Sequence, residues 1–405
     1  MHEQKKCLIL IVPFFASLAT FCILGVCATP QKTSFAENRE LMQVPVFKAS
    51  DDGRMKMDPA TYVVEQFPYR ETLLKVYSFL DLIQNKKYVR DTYVAHREWL
   101  MIRSYRIADD RMEELAGAIS GTVSGSPDNV EFYYAILPIK SACFSELERS
   151  YIDDSTSNEN KERLKKELGG LDSVKVIDVS GYFTGAFSLE EREEMYFRTD
   201  FHWNAWGAYN ASDYIQRVMC SNGTIGAGDL FSKTDFSFDV IDDKLYQGDL
   251  NRRFSNLFSM KERIPVISPR LADGFRYFTS VGDESPAKRS DIVGNGLEEG
   301  IVSYDDVYTH NIGYYRILNE RAPCDKSILI LKDSLENPMG DYFASIFKEV
   351  QIIDPRAYSE PCDFSGLIDK KSVDIVLFAF HQNNCSQELI NFLNSKSQPG
   401  TDLAA

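Results

Sequence analysis

Five short runs along the chain are apolar at nearly every position and rich in aromatic or β-branched residues. They are EFYYAILP (131–138), VKVIDVS (174–180), SILILKDS (327–334), VQIIDP (350–355) and VDIVLFAF (373–380). Runs this short, bounded by polar residues, predict strands buried on both faces. Between several of them the pattern changes to an amphipathic helix. RIADDRMEELAGAIS (106–120), NKERLKKELGG (160–170), NAWGAYNASDYIQRVM (204–219) and PMGDYFASIFKEV (338–350) are the helical candidates, the second closed by glycines. Asn204 suits an N-cap. Buried strands alternating with helices predict an α/β fold with a mainly parallel sheet covered on both faces.

The first 125 residues have a different texture. Lys5 and Lys6 precede 22 apolar residues from Cys7 to Ala28, the length of a bilayer-crossing helix. The same pattern fits a secretory signal cleaved near Ala28. Both readings put the remainder outside the cytoplasm. A polar leader follows, then helical spacing over PATYVVEQFPYRETLLKVYSFLDLIQNK (59–86) and a strand pair or turn at DTYVAHREWLMI (91–102). Residues 221–300 break the α/β rhythm: FSFDVIDDKLYQGDL and GFRYFTSV alternate like antiparallel strands. The expected division is 1–28 signal or membrane anchor, 29–125 leader and helical region packing on the core, 126–220 first part of the α/β domain, 221–300 β-rich insertion, 301–396 second part, 397–405 tail.

Charge and cysteines narrow the picture. A net charge of −15 with no long basic run argues against nucleic acid as partner. Of eight cysteines, three lie in the apolar run and five are scattered (Cys143, Cys220, Cys324, Cys362, Cys385). No CxxC pair points to zinc. Buried, reduced thiols with at most one or two bridges are expected.

The chemistry concentrates in FRTDFHWNAWGAY (197–209), which holds two of the three tryptophans and one of the five histidines. Asp200 and His202 are two apart. In extended backbone they share a side, so the carboxylate can orient the imidazole as a general base. Ser334, at the carboxyl end of a predicted buried strand and before a helix expected near Pro338, is the candidate nucleophile. Ligands bind at that edge of parallel sheets, and a helix N-terminus there would favour an oxyanion. Two alternatives stay open. One is a metal site of Asp200, His202 and either His310 or His381. The other is a domain in which these residues are structural.

RTDFHWNAWGAY resembles the TDHHW…GAY signature of the bacterial DHHW protein family, which is related to alginate O-acetyltransferases with SGNH-hydrolase-like domains. SFAENRELMQVPVF is similar to that family's ENR segment and QFPYRETL to its FPFRD segment. LKDSLENPM with VQIIDPRAY is similar to its KDSYAN…IDPR block. The matches run in order from about residue 34 to 358. The resemblance implies a three-layer SGNH-hydrolase-like fold and a catalytic Asp200, His202 and Ser334. It also implies an oxyanion or substrate contact at Asn311 of THNIGYYRILNE. Phe201 stands where the family has its first histidine, and Leu335 where it has a tyrosine.

The expected activity is serine-dependent O-acyl (acetyl) transfer or ester hydrolysis on an extracellular or cell-envelope polysaccharide. The alternative is a non-catalytic carbohydrate-binding or polysaccharide-export scaffold with the same fold. No cofactor and no metal are expected. The expected partners are a polysaccharide or acylated sugar, a membrane-bound acyl-donor protein and, through the N-terminal segment, a membrane. Trp203 and Trp206 could offer flat apolar surface to a sugar ring, with Trp203 the candidate substrate contact, but packing against the helix that follows Asn204 is the favoured role for these tryptophans.

Overall fold

The computed structural model describes residues 2–27, 29–34, 39–43, 59–152, 155–282, 285–294, 300–358, 364–370 and 372–395. The chain divides into two compact units, residues 1–90 with 251–259, and residues 91–250 with 260–405. Cys362, the proposed cleavage point at Ala28, the tail, and parts of the ENR segment and of the insertion lie outside the described residues.

The smaller unit contains helices His2–Cys27, Pro59–Glu65 and Arg70–Ile83. Phe21 packs on Phe67 at 5.2 Å between ring centroids. Arg39 pairs with Glu65 at 2.6 Å. The helical spacing of 59–86 is realised as two helices because Phe67-Pro68 interrupts it. Among the described residues no helix is long and apolar enough to cross a membrane, so the anchor expected of residues 1–28 is without structural support.

The larger unit is built on a seven-stranded sheet. Its strands are β1 (Glu131–Leu137), β2 (Val174–Asp178), β3 (Arg276–Phe278), β4 (Tyr314–Leu318), β5 (Cys324–Lys332), β6 (Phe347–Ile353) and β7 (Ile375–His381). They lie in the order β3-β4-β6-β5-β7-β1-β2. From β6 to β2 every neighbouring pair is parallel, while β4 runs antiparallel to β6 and β3 antiparallel to β4. All five runs read as buried strands are strands of this sheet.

The main helices of this unit are α1 (Asp109–Ser124), α2 (Thr156–Gly169), α3 (Val179–Ala186), α4 (Ala205–Ser221), α5 (Phe364–Lys370) and α6 (Gln387–Leu393). Phe132, Tyr134 and Ile136 of β1, Leu329 and Leu331 of β5, and Phe378 of β7 meet α1, α2, α5 and α6 in one buried cluster. The alternate residues Tyr133, Ile328 and Ile330 are buried on the other face, where α3 packs on β1 and on α4. Burying both faces explains why these strands are apolar throughout. Each large aliphatic side chain so buried contributes about 1.5–3 kcal/mol.

Two elements depart from the pattern reading. The helix expected over 338–350 is five residues, Gly340–Ala344, and Phe347 already begins β6. Its apolar spacing suited both structures, and pairing of β6 with β5 and β4 decided for the strand. Within 221–300, Phe236–Ile241 pairs antiparallel with Ile264–Pro269 as the alternation implies. However, β3 is part of the main sheet, and Leu245–Tyr246 pairs with Ile301–Val302. The described cysteines Cys143, Cys220, Cys324 and Cys385 are free thiols. Burial raises the Cys143 thiol to about 12, as expected for an inert core cysteine.

Candidate active site

The segment carrying Asp200 and His202 is a tight loop rather than the extended stretch expected. Tyr196 and Trp203 form an antiparallel bridge at its base, and Asn204 N–H donates to Met195 O at 2.9 Å. At the tip Asp200 Oδ1 accepts the His202 backbone N–H at 3.1 Å. This aspartate turn bends the chain and still brings both side chains to one side. Asn204 then caps α4, accepting from Trp206 N at 2.9 Å and Gly207 N at 3.4 Å. Gly207 is required there, because a Cβ would lie 2.7 Å from both Met195 O and Trp203 Cβ.

Ser334 sits in the loop that leaves β5, flanked in the sheet by β6 and β7. Asp333 shapes this loop. Its Oδ1 accepts Leu335 N–H at 3.0 Å, and its Oδ2 accepts His381 N–H from the end of β7 at 2.8 Å. The loop holds Ser334 Oγ 2.8 Å from His202 Nε2. His202 Nδ1 lies 2.7 Å from Asp200 Oδ1. An ionised carboxylate only accepts, so the ring proton is on Nδ1 and Nε2 is free to accept from the serine hydroxyl. The three residues nominated from the sequence form one hydrogen-bonded chain.

The surroundings fix this chain. Asp200 is buried, and its Oδ2 accepts from the Tyr246 hydroxyl at 3.1 Å and from Asp249 N–H at 2.9 Å. Burial by itself would raise the Asp200 carboxyl. The attraction of the His202 ring and the hydrogen bonds from His202 and Asp249 outweigh it and hold the group well below the usual carboxylate range. The His202 ring lies flat against Tyr304, with centroids 3.9 Å apart and planes within 8°. That contact permits rotation only at the cost of losing the stack.

Lys140 and Glu262 were not foreseen. Lys140 is buried, and its ammonium donates to the carbonyls of Phe197 at 2.9 Å, Arg198 at 3.0 Å and Asp200. Glu262 accepts Arg198 N–H at 2.6 Å, Thr199 N–H at 3.0 Å and the Thr199 hydroxyl. The loop backbone is thus gripped through its carbonyls by a cation and through its amides by an anion. Burial lowers Lys140 to about 7 against the opposing pull of Glu262 and Asp200, and burial raises Glu262. A second missed contributor is YQGDL (246–250), which supplies Tyr246 and Asp249 to Asp200. Between them a Cβ on Gly248 would lie 2.3 Å from Thr199 O. The glycine between a tyrosine and an aspartate was the available signal.

Trp203 corrects the sugar-contact expectation. It is 0% exposed, and its indole N–H donates to Leu335 O at 2.6 Å. The ring ties the histidine loop to the serine loop and has no surface for a ligand. Asn311 is exposed. Its amide donates to Asp305 Oδ2 at 3.1 Å and its carbonyl oxygen accepts from Asn337 Nδ2 at 3.4 Å, three residues beyond Ser334. The helix expected to point its N-terminus at the serine is replaced by turns through Met339. Among the described residues no three His, Cys, Asp or Glu side chains group as a metal site. His381 instead has its Nε2 3.8 Å from Asp333 Oδ2.

Comparisons with known proteins bear on the fold and the family. Residues 110–270 match the family described as SGNH hydrolase-like domain, acetyltransferase AlgX. That stretch holds Asp200 and His202 and ends before Ser334. The structure of Bacillus cereus PatB1 superposes with a TM-score of 0.65 at 26% identity, covering 74% of this chain and 99% of that one. PatB1 with a sulfonyl adduct gives 0.65 at 25% identity, covering 74% and 97%. A DHHW-family protein from Eubacterium siraeum shares the fold, with a TM-score of 0.57 at 16% identity, covering 74% and 93%. No curated protein sequence matches. The likeness read from the motifs therefore stands: the chain is similar in sequence to the SGNH hydrolase-like AlgX acetyltransferase domain and shares its fold with a DHHW-family protein.

Proposed function

We propose that this protein is a serine-dependent acyltransferase or esterase acting on an O-acetylated or acetyl-accepting polysaccharide outside the cytoplasm. One observation carries the reading: the unbroken relay Ser334 Oγ, His202 Nε2, His202 Nδ1, Asp200 Oδ1 with links of 2.8 and 2.7 Å. Both links are within the reach that proton transfer requires. The similarity to an acetyltransferase domain supports the acyl group, and the basic-then-apolar leader supports export.

In this mechanism Ser334 Oγ attacks the acyl carbonyl while His202 Nε2 takes the hydroxyl proton. Asp200, held ionised, stabilises the imidazolium across Nδ1–H. The Ser334 backbone N–H, which finds no acceptor among the described residues, would meet the developing oxyanion. We assign Asn311 to a second donor, its amide turning from Asp305 when substrate enters. The imidazolium returns its proton to the departing oxygen, leaving an acyl-serine. A sugar hydroxyl, or water in an esterase, gives its proton to His202 and attacks the acyl carbonyl; the acyl–Oγ bond then breaks as His202 returns that proton to Ser334 Oγ, which frees the serine. The acyl donor would be an acylated sugar or a membrane-bound partner protein.

The test is acetyl release from p-nitrophenyl acetate, together with labelling by phenylmethylsulfonyl fluoride. The wild type is expected to turn over the ester and to carry the sulfonyl group on the peptide containing Ser334. Ser334→Ala is expected to do neither. Equal behaviour of the two proteins would remove the proposal.

A further inference from the structure

The acyl-transfer chemistry leaves one buried cation beside the serine loop unused. Lys332, the last residue of β5, is fully buried, and so is Asn337. The Lys332 ammonium donates to Asn337 Oδ1. Asp354 Oδ2, 3.7 Å away, supplies its counter-charge. Arg356 in turn donates to Asp354 at 2.9 and 2.6 Å. Burial lowers Lys332, and Glu336 and Asp354 oppose that effect.

The direction of each further link is set by the one before it. An ammonium has three donors and no acceptor, so it faces the oxygen of the Asn337 amide and leaves the NH2 group on the other side. That NH2 group donates to Asn311 Oδ1 at 3.4 Å. With its oxygen so engaged, Asn311 presents its own NH2 group at the far end, where it donates to Asp305 Oδ2 at 3.1 Å. The series Lys332, Asn337, Asn311, Asp305 therefore runs one way. Flipping Asn337 would set an NH2 group against the ammonium, and flipping Asn311 would set an oxygen against the carboxyl of Asp305.

Both ends of the series lie at the catalytic relay. Asn337 N–H donates to Ser334 O at 3.3 Å, a four-residue turn that keeps their Cα atoms within about 7 Å. Asp305 follows Tyr304, the ring stacked on His202 at 3.9 Å. Burial raises the Asp305 carboxyl, and His202 and Lys332 are the charges that chiefly oppose the rise. The exposed Asn311 amide is thus held between the turn that starts at Ser334 and the segment that covers His202.

We propose that Asn337, polarised by Lys332, is a positioning residue: it holds Asn311 by the carbonyl, so that the NH2 group and not the oxygen is offered to the acyl oxygen of the substrate. This role rests on the acyl-transfer reading, in which Asn311 is the second oxyanion donor. An oxygen in that place would repel the developing charge instead of stabilising it.

The test is the isosteric change Asn337→Asp in the full chain. A carboxylate still accepts from Lys332 but has no proton for Asn311, whose amide should then turn its NH2 group to residue 337. With p-nitrophenyl acetate, kcat should fall about 10²–10³-fold, the worth of one oxyanion donor, and KM should stay within about twofold of wild type. Asn311→Ala should fall as far. The double variant should be slower than Asn311→Ala by no more than about threefold, because Asn337 acts only through Asn311. A residue that merely braced the loop would slow Asn311→Ala as much as it slows wild type. The orientation is also read directly by NMR of isotope-labelled asparagine side chains. The Asn311 amide protons, identified by their absence from Asn311→Ala, should show NOEs to the Asp305 Hβ protons in wild type. That measurement decides if Asn337→Asp fails to fold.

Three results would overturn the inference: Asn337→Asp turning over within about threefold of wild type while Asn311→Ala is slow, losses that multiply in the double variant, or Asn311 amide protons that lie toward residue 337 in wild type. Asn311→Ala at the wild-type rate would remove Asn311 as a donor, and this role of Asn337 with it. If wild type neither turns over the ester nor takes the sulfonyl label on Ser334, the acyl-transfer reading fails by itself, and the amide contacts still decide the orientation.

Discussion

Asp200→Asn isolates what the carboxylate does. Asp200 accepts four hydrogen bonds: from His202 Nδ1–H and N–H on one oxygen, and from the Tyr246 hydroxyl and Asp249 N–H on the other. An asparagine of the same shape has only one accepting oxygen. If that oxygen stays toward His202, the new NH2 group faces Tyr246, which can rotate and accept, and Asp249 N–H, which cannot. One buried N–H is left unpaired, at a cost of about 1–3 kcal/mol. The opposite orientation sets the NH2 group against two donors of His202 and pushes the ring proton to Nε2, so it is disfavoured. In the favoured orientation the tautomer survives, but the charge that stabilises the imidazolium is gone. Turnover of p-nitrophenyl acetate should fall by about 10²–10⁴-fold, the contribution of general-base catalysis that loses its stabilised imidazolium, and urea unfolding should show a loss of about 1–3 kcal/mol. A variant that loses this much stability yet keeps its rate within about tenfold of wild type would show that Asp200 only braces the loop, and the proposed relay would be wrong.

Three further outcomes follow from the same geometry. Gly248→Ala places a methyl 2.3 Å from Thr199 O; the loop must move, so ester turnover should drop and stability fall by about 1–3 kcal/mol, read from rates and urea midpoints. Lys140→Met strips the donors from three carbonyls of the Asp200 loop and leaves Glu262 without its counter-charge. It should destabilise by about 1–3 kcal/mol or more, the cost of leaving buried carbonyls unpaired, and an unchanged urea midpoint would contradict the grip described here. Glu336, two residues past Ser334, is fully buried, and neither carboxyl oxygen finds a partner among the described residues. Burial raises it from 4.5 to about 8 against the pull of Lys332, with Asp333, Asp354 and Asp341 adding to the rise. Its folded-state pKa is raised, so its contribution to stability is complete below 4.5 and is lost as the pH climbs through about 8. The slope in that window is at most about 1.4 kcal/mol per pH unit. Glu336→Gln should flatten stability between those limits, and a profile parallel to wild type would refute the assignment.

Where the local pattern allowed one solution, it located the elements. EFYYAILP and VDIVLFAF have no polar face to offer water, so they could only be strands covered on both sides. Asn204 before an amphipathic stretch could be read as a cap. Asp200, His202 and Ser334 were legible because each combined a reactive side chain with a recognisable place, a strand end or the approach to a helix. Where two solutions were open, the pattern chose poorly. PMGDYFASIFKEV carries spacing for a helix or a strand, and only the vacancy between β4 and β5 decided that Phe347–Ile353 would fill it as β6. Trp203 looked like a ligand surface until Leu335, more than a hundred residues on, arrived to accept its N–H.

Local sequence determined which segments are strands and helices and which residues carry reactive groups, because periodicity and capping depend on neighbours a few positions away. The tertiary structure alone decided that Ser334 meets His202, that Lys140 and Glu262 grip the loop between them, and that Gly248 makes room for Thr199. Those contacts join residues tens of positions apart, and their energy lies in burial and hydrogen-bond partners that do not exist until the sheet has assembled.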